Sequence, residues 1–446
     1  MLAVALILMA SACPEPLLDA HPDPGGTGSG DETTLQHSNG VGLGKPIQLT
    51  FGNRFVKAGE SYISPDGKQV IFQAVAIPDE GEEPDTHYAM YLGELVHEGG
   101  DWRLDAIRQL TPEGSANTCG WFHPQDSGKV IFASTVTEPL GGDTPGYQRG
   151  TGRYKWAYPP RMRIVEARID GDFPPALSLL EGDESSYQAE CSISPDGRHL
   201  LFTSHESGDG DIYIRDLQTG ARHLVVGAPG YDGGPFFSPD GKRITYRSDR
   251  NNDNLLQIFV GELKFDEGGT IVGLEEEIQL TNNNHVNWAP FWHPDDTRLV
   301  YATSEAGHDN YEVFEVEAKR GAGVGHPARY GTGKRRITNT PGFDGLPAFD
   351  PTGNLMIWTS QQGGDGSQLW IAPFEIQPPR WCGRAVTASA GATKRSPACL
   401  PVAGWLTPHS AIAVGTHGHC TRSWWARRGA TSRHGERGRP RCPLLI

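Results

Sequence analysis

Seven side chains in this sequence have the type and spacing to gather around a ligand. Asn117, Gln188, Asp232, Asn287 and Asp344 each stand seven residues before a recurring proline, and Glu60 and Glu190 each stand five before it. If the repeats place these positions around one axis, they form a polar, partly anionic ring at a channel mouth. Oxygen donors gathered in this way can hold a hard cation such as calcium, or the ammonium group of a ligand. The same side chains can instead cap loop backbone and bind water. Both readings stay open here.

A second candidate is the long segment Thr137–Arg161, which carries Arg149, Lys155 and Trp156. Cationic and aromatic groups on a long loop suit recognition, because loops bear function while the scaffold stays fixed. They can also simply pack the loop onto its own sheet. His123 and His293 fall inside a turn phrase and are expected to cap or pack that turn. The Asp-rich stretches Glu206–Asp211 and His308–Asn310 lack the twelve-residue loop with a closing Glu of a calcium site, so they read as turns. The sequence contains no Gly-x-Ser-x-Gly elbow and no cluster of histidines. From the residues alone, then, no side chain is expected to be catalytic and no cofactor is expected.

The elements that must position these groups come from a repeat. One phrase recurs six times: Ser64-Pro65-Asp66-Gly67, His123-Pro124-Gln125-Asp126, Ser194-Pro195-Asp196-Gly197, Ser238-Pro239-Asp240-Gly241, His293-Pro294-Asp295-Asp296 and Asp350-Pro351-Thr352-Gly353. Pro fixes φ, Asp caps the turn and Gly tolerates positive φ, so each copy predicts a hairpin. An apolar strand follows each, from Val70-Ile71-Phe72 to Met356-Ile357-Trp358. A third strand comes next, and a fourth is expected at Arg108–Thr111, Gln279–Thr281 and Arg336–Thr338. Six units of four strands predict an all-β chain, a six-bladed β-propeller of four-stranded antiparallel blades. The sixth unit lacks its fourth strand. Ile47-Gln48-Leu49-Thr50 is expected to supply it beside residues 368–372, tying the ring shut and removing its edges.

These units resemble the propeller repeats of the TolB family over about Pro46–Phe374, most specifically at Tyr231–Lys242 and Asn287–Pro294. The resemblance implies a six-bladed propeller in the periplasm or cell envelope of a bacterium. The chain is accordingly expected to be a monomeric, non-catalytic binding or scaffold module for a protein, peptide or glycan. The alternative is a metal-dependent propeller enzyme such as an oligogalacturonate-type lyase, which needs several histidines at the mouth; here only His285 lies near a loop leading into an inner strand.

Charge and termini complete the organisation. The net charge of -15 hides a basic segment after residue 377, so the preceding body is more acidic still. Such a body repels phosphate backbones, which argues against nucleic acid as a partner. Leu2–Met9 is apolar but too short to span a bilayer, and Ala10-Ser11-Ala12 precede Cys13. Residues 1–13 therefore resemble a lipoprotein-type signal peptide with Cys13 lipidated, the lipid being the expected membrane contact. Residues 14–45 read as a flexible linker, 46–374 as the propeller, and 375–446 as a basic irregular tail. With Cys119 and Cys191 the only cysteines between Cys13 and Cys382, and no Cys-x-x-Cys pair, neither a disulfide scaffold nor a zinc site is expected.

Overall fold

Each recurring phrase folds as a turn held by its own side chains. Ser64 Oγ donates to Asp66 Oδ1 at 2.6 Å and accepts the Lys68 and Gln69 amides at 3.1 and 2.9 Å. Ser194 and Ser238 repeat the bond to Asp196 and Asp240 at 2.5 and 2.6 Å. Gly67, Gly197, Gly241 and Gly353 take φ of 73, 76, 68 and 73°, the left-handed region these turns require. His293 replaces the serine by accepting the Asp295 amide on Nδ1 at 3.1 Å. Its Nε2 lies 3.2 Å from the Gly353 carbonyl of the next turn. This histidine fastens neighbouring blades.

The computed structural model describes residues 42–139, 158–185, 187–319 and 329–376, and only the backbone of Arg329. It contains six four-stranded antiparallel sheets. Their inner strands are Phe55–Ile63, Asn117–His123, Gln188–Ile193, Asp232–Phe237, Asn287–Trp292 and Asp344–Phe349, for blades 1 to 6. Successive inner strands touch, and blade 6 touches blade 1, so the six sheets close a ring about one axis. The chain is a six-bladed propeller, as its repeats predict.

The core lies between blades. The last aromatic of each second strand is Phe72, Phe132, Phe202, Tyr246, Tyr301 or Trp358, and none is more than 1% exposed. One such wedge per blade fills the gap to its neighbour. Removing one would cost about 3–5 kcal/mol.

Closure follows a latch that the chain uses four times. In blade 1 the Leu110 amide bonds the Met90 carbonyl at 2.8 Å, and Thr111 Oγ1 accepts the Met90 amide at 3.1 Å. Leu280 with Thr281, and Ile337 with Thr338, repeat this in blades 4 and 5. The fourth copy is Leu49 with Thr50, bonded to the Leu369 carbonyl and amide at 2.8 and 2.9 Å. Ile47 and Gln48 pair with Ile371 and Trp370. The N-terminal strand therefore completes blade 6 in the expected register. One expectation needs refinement. The fourth strands begin earlier than the Leu-Thr signature, at Asp101–Gln109, Ile271–Gln279 and Arg329–Arg336, and the signature is the latch that ends them.

Candidate functional site

Every inner strand breaks its ladder at one equivalent place, and blades 1 and 2 carry a second break nearer a strand end. The register slips between Gly59 and Ser61, Thr118 and Trp121, Ala189 and Ser192, Gly233 and Phe236, Trp288 and Phe291, and Gly345 and Ala348. Within each slip one residue has positive φ: Glu60 (39°), Cys119 (55°), Glu190 (54°), Gly234 (59°), Ala289 (50°) and Leu346 (52°). A bulge bends its strand and re-aims the side chain it carries. Six equivalent bulges around one axis make a ring, and all six residues line a single cavity of about 270 Å3 at the mouth of the propeller.

The cavity is blind. Two residues beyond the bulges come Tyr62, Trp121, Phe236 and Phe291 from blades 1, 2, 4 and 5, with small Ser192 and Ala348 at the other two positions. Rings from diametrically opposite blades meet across the axis: Tyr62 and Phe236 at 5.6 Å between centroids, Trp121 and Phe291 at 6.1 Å. Opposite blades in contact leave no open bore. The ring of bulges is thus the base of a cup whose floor is an aromatic plug. Its walls include Tyr88, Tyr187, Trp288, Tyr311 and Phe343.

The two glutamates of the cup differ in their surroundings. Glu190 accepts the Tyr231 hydroxyl at 2.6 and 2.5 Å on its two oxygens, accepts the Gly234 amide at 2.9 Å, and is ion-paired with Arg247. Burial alone would raise its pKa, but Arg247 and these donors outweigh burial and hold it below the usual range. The local sequence makes this possible. A Cβ on Gly234 would collide with the Arg247 guanidinium, and one on Gly233 with the Tyr231 hydroxyl. Two glycines therefore leave the space that the ion pair fills.

Glu60 receives hydroxyls at longer range, Tyr62 at 3.3 Å and Thr118 at 3.2 Å, and the Cys119 thiol. Burial pushes its carboxyl up and the nearby Glu190 charge adds to the rise, while Cys119, Arg247 and Thr118 offset part of it. Burial and the Glu60 charge also push Tyr88 up to about 12. The Cys119 thiol is raised well above its usual value by burial and both glutamates, and Cys191 is raised mainly by burial. Both thiols are protonated at neutral pH, and a protonated thiol is a poor nucleophile.

Of the seven positions singled out by spacing, the structure brings Glu60 and Glu190 into the cup. The other five turn away from it into the loops. Asn117 donates to the Tyr88 and Ser115 carbonyls at 3.0 and 2.8 Å. Asn287 donates to Gln257 Oε1 and the His285 carbonyl, both at 3.1 Å. Gln188 reaches Ser204 Oγ at 3.3 Å. Asp232 accepts the Ala228 amide at 2.8 Å, and Asp344 accepts Thr340 Oγ1 at 2.5 Å and Trp358 Nε1 at 3.2 Å. All five are buried, and the ring they were expected to form is instead a set of loop anchors. Cys119, Gly234, Ala289 and Leu346 were missed because they share no chemistry. The signal that could have found them is positional: each stands two residues after an anchor. Arg149, Lys155, Trp156 and Cys13 lie outside the described residues.

Comparison with known proteins adds three findings. Residues 179–324, which span most of blades 3 to 5, match the family described as TolB beta propeller domain. Two curated relatives are both named dipeptidyl-peptidase 5. The one from Porphyromonas endodontalis is 27% identical over 264 residues, 51% of this chain and 35% of its own length. The one from Porphyromonas gingivalis is 24% identical over 354 residues, 64% of this chain and 50% of its own. The chain thus spans between about a third and half of the length of the curated relatives it matches. Among solved structures, TolB from Acinetobacter baumannii aligns with a TM-score of 0.40 and 18% identity, covering 71% of this chain and 63% of that one. An oligogalacturonate lyase from Vibrio parahaemolyticus aligns with a TM-score of 0.41 and 11% identity, covering 75% and 98%. The expectation of a non-catalytic chain is corrected by the curated relatives, since a dipeptidyl-peptidase is an enzyme.

Proposed function

We propose that this chain, a six-bladed propeller of the TolB type, is the peptide-holding part of a peptide-processing protein of the bacterial cell envelope, its axial cup receiving one side chain of the peptide. The observation that carries this reading is the blind cup itself. A cavity of about 270 Å3, walled by aromatic rings and closed beneath, has room for one side chain and a floor to stop it. Pockets that bind are concave, largely apolar and provided with a few placed polar groups. The names of the curated relatives favour a peptide over a glycan as the occupant, and the TolB resemblance supports an envelope location.

The test is peptide binding by the full chain with the cup open and filled. Leu346→Trp adds bulk at a bulge whose positive φ already tolerates a side chain. Binding of a mixed peptide pool, followed by calorimetry, should be lost in this variant while its thermal unfolding stays near that of the parent. Release of dipeptides from fluorogenic substrates, measured alongside, should fall with binding. Undiminished binding to the filled cup would place the peptide site elsewhere.

A further inference from the structure

We propose that the group seated in the cup is the cationic side chain, lysine or arginine, of a basic peptide, with Glu60 as its counter-ion. This deepens the reading of the cup as the ligand site and rests on it.

Three independent observations converge. First, Glu60 has no ion-pair partner among the described residues, whereas Glu190, two blades on, is paired with Arg247. Arg247 acts on Glu60 through space but is ion-paired with Glu190, and Lys57, the other Lys or Arg of the wall, sits over the Tyr88 ring at 4.4 Å and interacts with Asp85. Gln73 adds a second acceptor: it lines the cup, is 5% exposed, and its Oε1 has no hydrogen-bond partner. Second, the wall already holds cations against aromatic faces, Lys57 on Tyr88 and Arg247 on Trp288 at 5.9 Å. At the base of the cup, the Glu60 carboxylate and the Gln73 amide offer fewer than the six to eight oxygens that calcium takes, so an organic cation fits there better than a hard metal ion.

Third, the rim is acidic. The loops joining second to third strands open on the cup face, since Tyr88, Asp309, Gln361 and Ser367 from three of them line it. Among the described residues these six loops carry thirteen acidic side chains against two basic ones. Both basic ones are committed, Arg161 to Glu184 and Arg250 to Glu277. Such a field draws a chain bearing several positive charges and speeds its encounter. A peptide's amino terminus would bring a single charge and gain little from it. The rim therefore favours a basic side chain over the terminus.

The experiment compares three peptides of one length on the full chain: an N-acetylated peptide with several Lys or Arg residues, its norleucine and citrulline counterpart, and a peptide with uncharged side chains and a free, charged amino terminus. The acetylated basic peptide should bind at least ten-fold more tightly than the other two, and added salt should weaken it. Glu60→Gln, which keeps the size and one acceptor oxygen, should remove that preference while raising thermal stability, because it discharges a buried carboxyl. The proposal is overturned if the uncharged counterpart binds equally, if the free terminus binds best, if Glu60→Gln leaves the preference intact, or if none of the three peptides binds. If Leu346→Trp also leaves every affinity unchanged, the cup reading itself fails; if it abolishes binding without a charge preference, only the cation does.

Discussion

Asp232→Asn should stabilise the protein above neutral pH and have no effect near pH 4. Asp232 is fully buried, accepts the Ala228 amide, and has the Arg250 guanidinium at 3.5 Å, which is shared with Glu277. Burial dominates these partners and raises the carboxyl from 3.8 to about 6. Between those values the folded state holds a proton that the unfolded state has released, so wild-type stability falls as pH rises through this window. Two pH units correspond to about 3 kcal/mol of cost above pH 6. An amide carries no such cost, and its oxygen still accepts Ala228. Blades 2 and 5 already use Asn117 and Asn287 at the equivalent position. Thermal unfolding of both proteins from pH 4 to pH 8 should show equal midpoints at the acid end and a gain of roughly 4 °C for the variant at the alkaline end. A constant difference across pH, or a variant less stable at pH 8, would refute the assignment of burial as the dominant influence.

Three further outcomes follow from the same geometry. Gly234→Ala should drive the Arg247 guanidinium off Glu190, lowering the unfolding midpoint by several degrees; Gly241→Ala, whose nearest neighbour is a proline ring at 3.5 Å, should lose only its turn preference. Leu49→Ala should cost about 2–4 kcal/mol in denaturant unfolding, since this buried side chain belongs to the latch that closes blade 6. Cys119 and Cys191 should resist alkylation at pH 8 in the folded protein and react once it is unfolded, as read by peptide mapping, because their thiols stay protonated.

The blade plan was legible because its signals are local. Pro-Asp-Gly turns act through bonds within a few residues, and the Leu-Thr latch is a short motif repeated along the chain, so spacing alone located both, including the latch that Thr50 forms with the distant Leu369. The cup was legible only in part, for a reason of parity. In a regular strand, residues two apart share a face, so Asn117 and Cys119, or Gln188 and Glu190, would point the same way. The bulge after the anchor breaks that alternation, burying Asn117 in its loop while Cys119 enters the cup. Nothing in the residue types reveals the bulge, because Glu, Cys, Gly, Ala and Leu all occupy it. The floor was missed for a related reason. Tyr62, Phe236 and Phe291 read as ordinary strand aromatics, and only the closing of the ring sets opposite blades face to face.

A crystal structure of the full chain grown with the N-acetylated basic peptide addresses the cup most directly. The peptide's Lys or Arg head group should lie within ion-pair distance of the Glu60 carboxylate, over the aromatic floor. An empty cup, with the peptide bound instead in the groove by Asp240 and Asp296 on the turn face, would contradict the account.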